Sequence, residues 1–275
     1  VNPSFHIQSP DLDTASSHLF VEAGPAAVSI AVLNDRNCFT AVVLYPLQAG
    51  DTGSLVSQLQ DILQDEPLLQ LSYRKTAIIW NFRESSIIPA EYMNRAANNE
   101  LLDLVYGPSD NSAIRTDFLY RSNLHNIYRV PEPADALFRN KFLFASHTHQ
   151  YSVLPEAAGK GEGNRLWVAF NGGGLTVVLF KDEKFQMVQQ FRYSGADDAA
   201  YYLLNTCQRF DIDPSEVQLQ LCGMIDADSN LYIGIYKYFM NISWFELPDG
   251  FEYSPEIKEQ PAHFFSPLFA TAACV

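Results

Sequence analysis

Apolar and polar positions in this chain follow two similar series. Residues 28–46 read VSIAVLNDRNCFTAVVLYP and residues 175–193 read LTVVLFKDEKFQMVQQFRY. Each is an apolar, β-branched run, a short charged turn and a second apolar run, which is the pattern of a hairpin. With Ser29 laid on Thr176, Asp35 falls on Asp182, an offset of 147 (176 − 29). A chain that repeats itself at long range constrains its whole fold.

The segments around the hairpins repeat too. HLFVEAG (18–24) predicts a strand ending at Gly24, and RLWVAFN (165–171) predicts one ending at Gly172-Gly173-Gly174. After the first hairpin, Asp51 and Thr52 supply helix-capping chemistry, and Leu55, Val56, Leu59, Ile62 and Leu63 follow at helical spacing. After the second, Asp197 and Asp198 lead into AAYYLLNTCQRF. TAIIWNF (76–82) and VQLQLCGMI (217–225) are continuous apolar runs, as expected of strands covered on both faces.

The first half carries extra material. Pro89 opens a predicted helix with Tyr92, Met93, Ala96, Leu101 and Leu104 at roughly helical intervals, ended by Gly107-Pro108. Residues 113–120 and 124–130 read as an inserted hairpin. A short helix, ADALFRNKF, and a strand over 142–150, FLFASHTHQ, complete the half. In the second half, Ser229 precedes a helix with Leu231, Ile235, Tyr236 and Phe239. ISWFELP (242–248) is a last strand, and HFFSPLFATAA is a closing helix. The fold class is therefore α/β: two βββαβαβα units, each a mixed sheet flanked by helices, with a cleft expected at their junction. The expected division is an N-terminal arm (1–17), a first half (18–160, hairpin inserted at about 113–130) and a second half (161–275), with the Gly-rich stretch AAGKGEGN at the boundary.

Composition changes this picture little. Of 275 residues, 47% are hydrophobic and 18% charged, which suits a globular protein. The net charge of −14 argues against a nucleic-acid partner. No apolar run approaches the ~20 residues of a membrane span, and no signal peptide is visible, so a cytoplasmic location is expected. The four cysteines, Cys38, Cys207, Cys222 and Cys274, are too dispersed for a zinc or redox motif. His147 and His149 share a strand face, but a metal site needs a third ligand. Lys160 and Lys181 are cations in turn-like contexts, read as solvated. The aromatic clusters at 201–204 and 235–239 read as core. No catalytic residue and no metal ligand is assigned.

The duplicated layout resembles the actin, Hsp70 and sugar-kinase superfamily, whose halves share the ribonuclease H-like fold. It is similar in particular to the pilus-assembly ATPase-like proteins and to a family of uncharacterised bacterial proteins with a degenerate version of that fold. The resemblance runs from about residue 18 to the end. It implies three nucleotide-facing turns. The first, usually Asp-x-Gly, is here Glu22-Ala23-Gly24-Pro25-Ala26-Ala27: an altered acid, and a proline without an N–H. The second, usually Asp-x-Gly-Gly-Gly-Thr, is similar to Asn171-Gly172-Gly173-Gly174-Leu175-Thr176, with an amide where the magnesium-facing acid would stand. The third, usually Gly-Gly against adenosine, is Gly223-Met224. A retained nucleotide site would comprise Glu22, Gly24, Asn171, Gly173, Gly174, Thr176 and Gly223. The resemblance thus implies an actin-like scaffold or adaptor for an unidentified protein partner, with a degenerate site and no cofactor. The alternative is an ATP- and Mg²⁺-dependent switch or phosphotransferase. Oligomeric state is not legible.

Overall fold

The computed structural model describes residues 1–10, 12–159, 161–245 and 248–275, with the backbone alone at Arg95. The chain forms two compact units. One comprises residues 1–153, 250–257 and 275; the other comprises 154–249 and 258–274.

The first unit contains β1 (Phe5–Gln8), β2 (His18–Ala23), β3 (Ala27–Leu33), β4 (Cys38–Pro46), α1 (Thr52–Asp65) and β5 (Lys75–Trp80). An insertion follows: β6 (Ser85–Pro89), α2 (Asn98–Tyr106), β7 (Ser112–Leu119) and β8 (Leu124–Pro131). Then come α3 (Glu132–Lys141), β9 (Ser146–His149) and α4 (Gln150–Ala157). The main sheet runs β1-β4-β3-β2-β5-β9. In it β2, β3 and β4 are antiparallel, while β2, β5 and β9 are parallel. Asp51 caps α1 as expected, its carboxylate accepting from the Ser54 N–H at 2.9 Å. Leu59, Ile62 and Leu63 then bury one helix face against the sheet core of Leu19, Val21, Ile30, Val43 and Trp80.

The second unit repeats this order. It contains β10 (Arg165–Asn171), β11 (Gly174–Lys181), β12 (Lys184–Arg192), α5 (Ala196–Arg209), β13 (Gln218–Gly223), α6 (Asn230–Tyr236) and β14 (Asn241–Trp244). Its sheet is β12-β11-β10-β13-β14, the order of β4-β3-β2-β5-β9. Strands β2 and β10 lie in different sheets, as a duplication requires. The repeat extends to a defect: the β3–β4 ladder slips between Val32 and Leu33, and the β11–β12 ladder slips between Leu179 and Phe180. Val32 and Leu179 are again 147 positions apart (179 − 32). Asp198 reaches back from the first turn of α5 to the Ser194 N–H at 3.0 Å, closing that helix start. After β14 the chain rejoins the first unit with β15 (Glu252–Tyr253), which pairs with β4, and α7 (Pro255–Lys258), and then gives the second unit α8 (Ser266–Ala273), packed on β13. No helix among the described residues is long and apolar enough to cross a membrane.

Several sequence expectations are corrected. The N-terminal residues are not a loose arm, because Phe5–Gln8 pair antiparallel with Ala41–Leu44 of β4. The helix expected from Pro89 starts only at Asn98. Ser85–Pro89 are instead a strand on β8, and two 3₁₀ turns intervene. Tyr92 is accordingly exposed (69%), and Leu104, though within α2, faces solvent (85%). The strand expected over 142–150 shrinks to Ser146–His149; Phe144 lies in a turn and is fully exposed, and Gln150 already begins a helix. The tail does pack as expected: Phe265, Leu268 and Phe269 are buried.

The inserted sheet, β6-β8-β7, is held by two part-buried polar clusters. Arg129 of β8 donates to the Gly107 carbonyl (2.8 Å), the Asn99 side chain (3.1 Å) and the Asp103 carboxylate, fastening α2. Asp117 of β7 accepts from Thr148 Oγ1 (2.9 Å), the His149 N–H (2.7 Å) and Ser152 Oγ (2.6 Å), fastening the sheet to the start of α4. Asp117→Ala strands these donors and should cost about 3 kcal/mol in urea denaturation. A loss below about 1 kcal/mol would show that the cluster does not hold the insertion.

Candidate functional site

Glu22 lies near the carboxyl end of β2, one residue before Ala23, which pairs with Trp80 of β5. Parallel strands deliver functional groups at their carboxyl ends. Here three do so together. Asn81 follows β5 and Gln150 follows β9. Asn81 Nδ2 donates to Glu22 Oε1 at 2.9 Å and Gln150 Nε2 donates to the same oxygen at 3.2 Å. Both amides are buried, and their carbonyl oxygens, Asn81 Oδ1 and Gln150 Oε1, have no hydrogen-bond partner. Burial pushes the Glu22 carboxyl up to about 6, and the two amide bonds pull it part of the way back. Sequence reasoning singled out Glu22 but neither Asn81 nor Gln150. The available signal was slight: Asn81 directly follows the apolar run of β5, but Gln150 follows the polar strand SHTH.

The first turn offers few donors. Gly24 N–H donates to the Ala27 carbonyl at 3.1 Å, which leaves Pro25 and Ala26 at the tip. Pro25 has no N–H, and the Ala26 carbonyl accepts from Leu47 N–H at 2.8 Å. Gly24 is also packed closely, since a Cβ there would stand 2.5 Å from the Asn81 carbonyl oxygen.

The second turn is a two-residue hairpin. Asn171 pairs with Gly174, and Gly172 and Gly173 between them have φ of +33° and +81°. Two successive positive φ values define a type I′ turn, which matches the twist of its strands. Asn171 Oδ1 is buried without a partner. Thr176 is not in the turn at all: it is wholly buried inside β11, opposite Ala169, with its hydroxyl unpartnered.

The third turn is closed by its own chain. Gly223 has φ +81°, and a Cβ there would lie 2.1 Å from the Phe170 carbonyl oxygen, so only glycine fits. Gly223 N–H donates to the His263 carbonyl at 2.7 Å, and Met224 N–H donates to the Phe170 carbonyl at 2.8 Å. His263 is fixed in turn by Trp244, stacked at 4.1 Å between centroids, and by the Ile225 carbonyl, 2.8 Å from its Nε2. The segment before α8 therefore covers this turn.

The structure thus gathers the sequence-derived residues into two groups. Glu22 and Gly24 belong to the first unit, beside Asn81 and Gln150. Asn171, Gly173, Gly174 and Gly223 cluster at the ends of β10 and β13 in the second, with Thr176 set back in the sheet. The other candidates have structural roles. His149 uses both ring nitrogens, one on the Phe82 carbonyl (2.7 Å) and one accepting from Tyr151 N–H (3.0 Å), and burial lowers it to about 4. His147 stacks on Trp80. Lys181 donates to the Phe210 carbonyl at 2.7 Å. Lys160 lies outside the described residues. Tyr201, Tyr236 and Tyr238, expected in the core, are 61%, 61% and 48% exposed.

A family model described as a protein of unknown function, DUF3822, matches residues 8–242. The chain belongs to the DUF3822 family. None of the curated proteins matches it. Solved structures resemble this DUF3822 member in fold. A Bacteroides thetaiotaomicron protein described as having an actin-like ATPase fold and unknown function superposes with a TM-score of 0.77 at 16% identity, over 95% of this chain and 97% of that one. A PilM–PilN type IV pilus biogenesis complex contains a chain with TM-score 0.60 at 15% identity, covering 96% and 97%. The ethanolamine utilization protein EutJ of Carboxydothermus hydrogenoformans gives 0.54 at 10%, covering 98% and 92%. The fold of this DUF3822 member is that of an actin-like ATPase.

Glu22 generates a pH prediction. Its folded value, about 6, lies above the ordinary 4.5, so the ionised form is disfavoured in the folded state. The penalty, about 2 kcal/mol, is present above pH 6 and is relieved as pH falls from 6 to 4.5. Glu22→Gln should therefore stabilise the protein by about 1–2 kcal/mol at pH 7.5 and leave it unchanged at pH 4.5, read by urea melts at both. Destabilisation at pH 7.5 would show that the ionised carboxylate is needed by its two amides.

Proposed function

We propose that this DUF3822 member is a protein-binding scaffold or adaptor built on the actin-like fold, with nucleotide-facing turns that no longer receive nucleotide. The observation that carries this reading is the third turn, whose Gly223 N–H is engaged by the His263 carbonyl of the same chain. The first turn supports it through Pro25, and the second through Thr176, whose hydroxyl lies inside the sheet rather than at the glycines. A fold that keeps its sheets but fills its turns is suited to presenting surface rather than to moving phosphoryl groups, which needs Mg²⁺ and anchored phosphates. A protein partner fits the solved neighbour PilM, which is in a complex with PilN. It also fits the acidic charge, which disfavours nucleic acid.

One observation favours a second reading, an ATP-dependent switch or phosphotransferase. The unpartnered oxygens of Asn81 and Gln150 beside Glu22 form an acceptor-rich corner suited to a donor or a hydrated cation. Thermal melts separate the two. A site with a Kd of about 0.5 mM would gain about 1.4 kcal/mol at 5 mM ligand, or about 2–4 °C. The scaffold reading expects no shift with Mg-ATP at about 5 mM. A shift that needs both Mg²⁺ and ATP, and that is lost in Glu22→Ala, would establish the switch reading instead.

A further inference from the structure

The outer edges of the three sheets differ in one respect. Strands β1, β9 and β14 are four residues long. β6 has five residues and ends in Pro89. β12 is longer, but its ladder carries the slip at Leu179/Phe180, and it begins at Lys184 and ends at Arg192. Short length, proline, irregular register and terminal cations are the usual means of keeping an edge from pairing. Strand β7 has none of them. It is eight residues, SAIRTDFL, without proline, lysine or register slip, and among the described residues only β8 pairs with it. One face shows Ile114 (38% exposed), Thr116 and Phe118 (36%), continued by Tyr120 (85%).

The sequence of β7 is complementary to itself when run antiparallel. A two-fold axis at Thr116 that keeps each face continuous sets Thr116 against Thr116 of a second copy. It sets Ile114 against Phe118, Arg115 against Asp117, and Ala113 against Leu119. Each is a favoured cross-strand pair: threonine with threonine, β-branched with aromatic, cation with anion, apolar with apolar. Registers that preserve the faces differ by two residues. Centring on Arg115 would oppose two arginines, and centring on Asp117 would oppose two aspartates, both unfavourable. Arg115 and Asp117 keep their own partners meanwhile, Asp135 at 2.7 Å and the α4 start, so pairing adds a neighbouring charge without unmaking the fold.

We propose that β7 is a self-association edge, joining two copies of this chain through one antiparallel ladder centred on Thr116 and making one six-stranded sheet from two β6-β8-β7 sheets. The full chain should then show a concentration-dependent monomer–dimer equilibrium in sedimentation velocity. Ile114→Lys with Phe118→Lys, both on the exposed face, should weaken it about tenfold or more, because each substitution acts twice across the axis. A crosslink fixes the register. Opposed residues have Cα atoms about 4.5–5.5 Å apart, which a disulfide can bridge. Thr116→Cys should therefore form a linked dimer under mild oxidation. Ser112→Cys, whose two copies would stand about 27 Å apart, should not. A monomer at every concentration up to about 200 µM would overturn the proposal. So would equal linking of the two cysteine variants in protein whose circular dichroism matches the parent.

Discussion

Both units depend on one constraint, the register of the strand that begins each repeat. β2 pairs antiparallel with β3 on one side and parallel with β5 on the other; β10 does the same with β11 and β13. This mixed pairing aligns the ends of several strands, so that short turns and single polar residues meet there. In the first unit it gathers Glu22, Asn81 and Gln150. In the second it brings Gly223 so close to Phe170 that no side chain fits and the Met224 amide is turned onto the Phe170 carbonyl. The same register that builds a site in this architecture therefore also closes the third turn.

The two repeats have kept what packing enforces and changed what chemistry would require. Strand order, the ladder slip and the first helix are common to both. Each is held by buried apolar side chains, for which size and pattern matter more than identity. The turns are under no such constraint. Where the first has Pro25, the second has Gly172 and Gly173. Where the first enters its turn on Gly24, the second enters on Asn171. The Glu22 carboxyl illustrates the consequence: it is retained, but burial raises it to about 6 in spite of two amide donors, which weakens it as a ligand for a hard cation.

Most of the fold was legible because hydrophobic period reports packing directly. The paired hairpins, the buried strands TAIIW and QLQLC, and helices α1 and α5 follow from runs of β-branched residues and from capped helical spacing. The misread elements are those where the period misleads. Tyr92 and Ala96 mimic a helix face but fall on 3₁₀ turns, with Met93 between them. FLFA mimics a strand but is a turn, with Phe144 in solvent. Strand β1 is short and half-exposed, and no pattern marks it. The site was legible only in its turns. Asn81 and Gln150 are single residues whose meaning depends on three strands ending together, and the cover supplied by His263 depends on tail packing. Neither is a local property of sequence.

The central claim is that the actin-like fold persists here with its third nucleotide turn closed by the chain itself. A crystal structure grown with Mg²⁺ and a non-hydrolysable ATP analogue at about 5 mM tests it most directly, since a site with a Kd of even 0.5 mM would be about nine-tenths filled. The account predicts no nucleotide density, with Gly223 N–H still on the His263 carbonyl and Met224 N–H still on that of Phe170. Ordered phosphates against Gly24 and Gly173, with His263 withdrawn from Gly223, would contradict it.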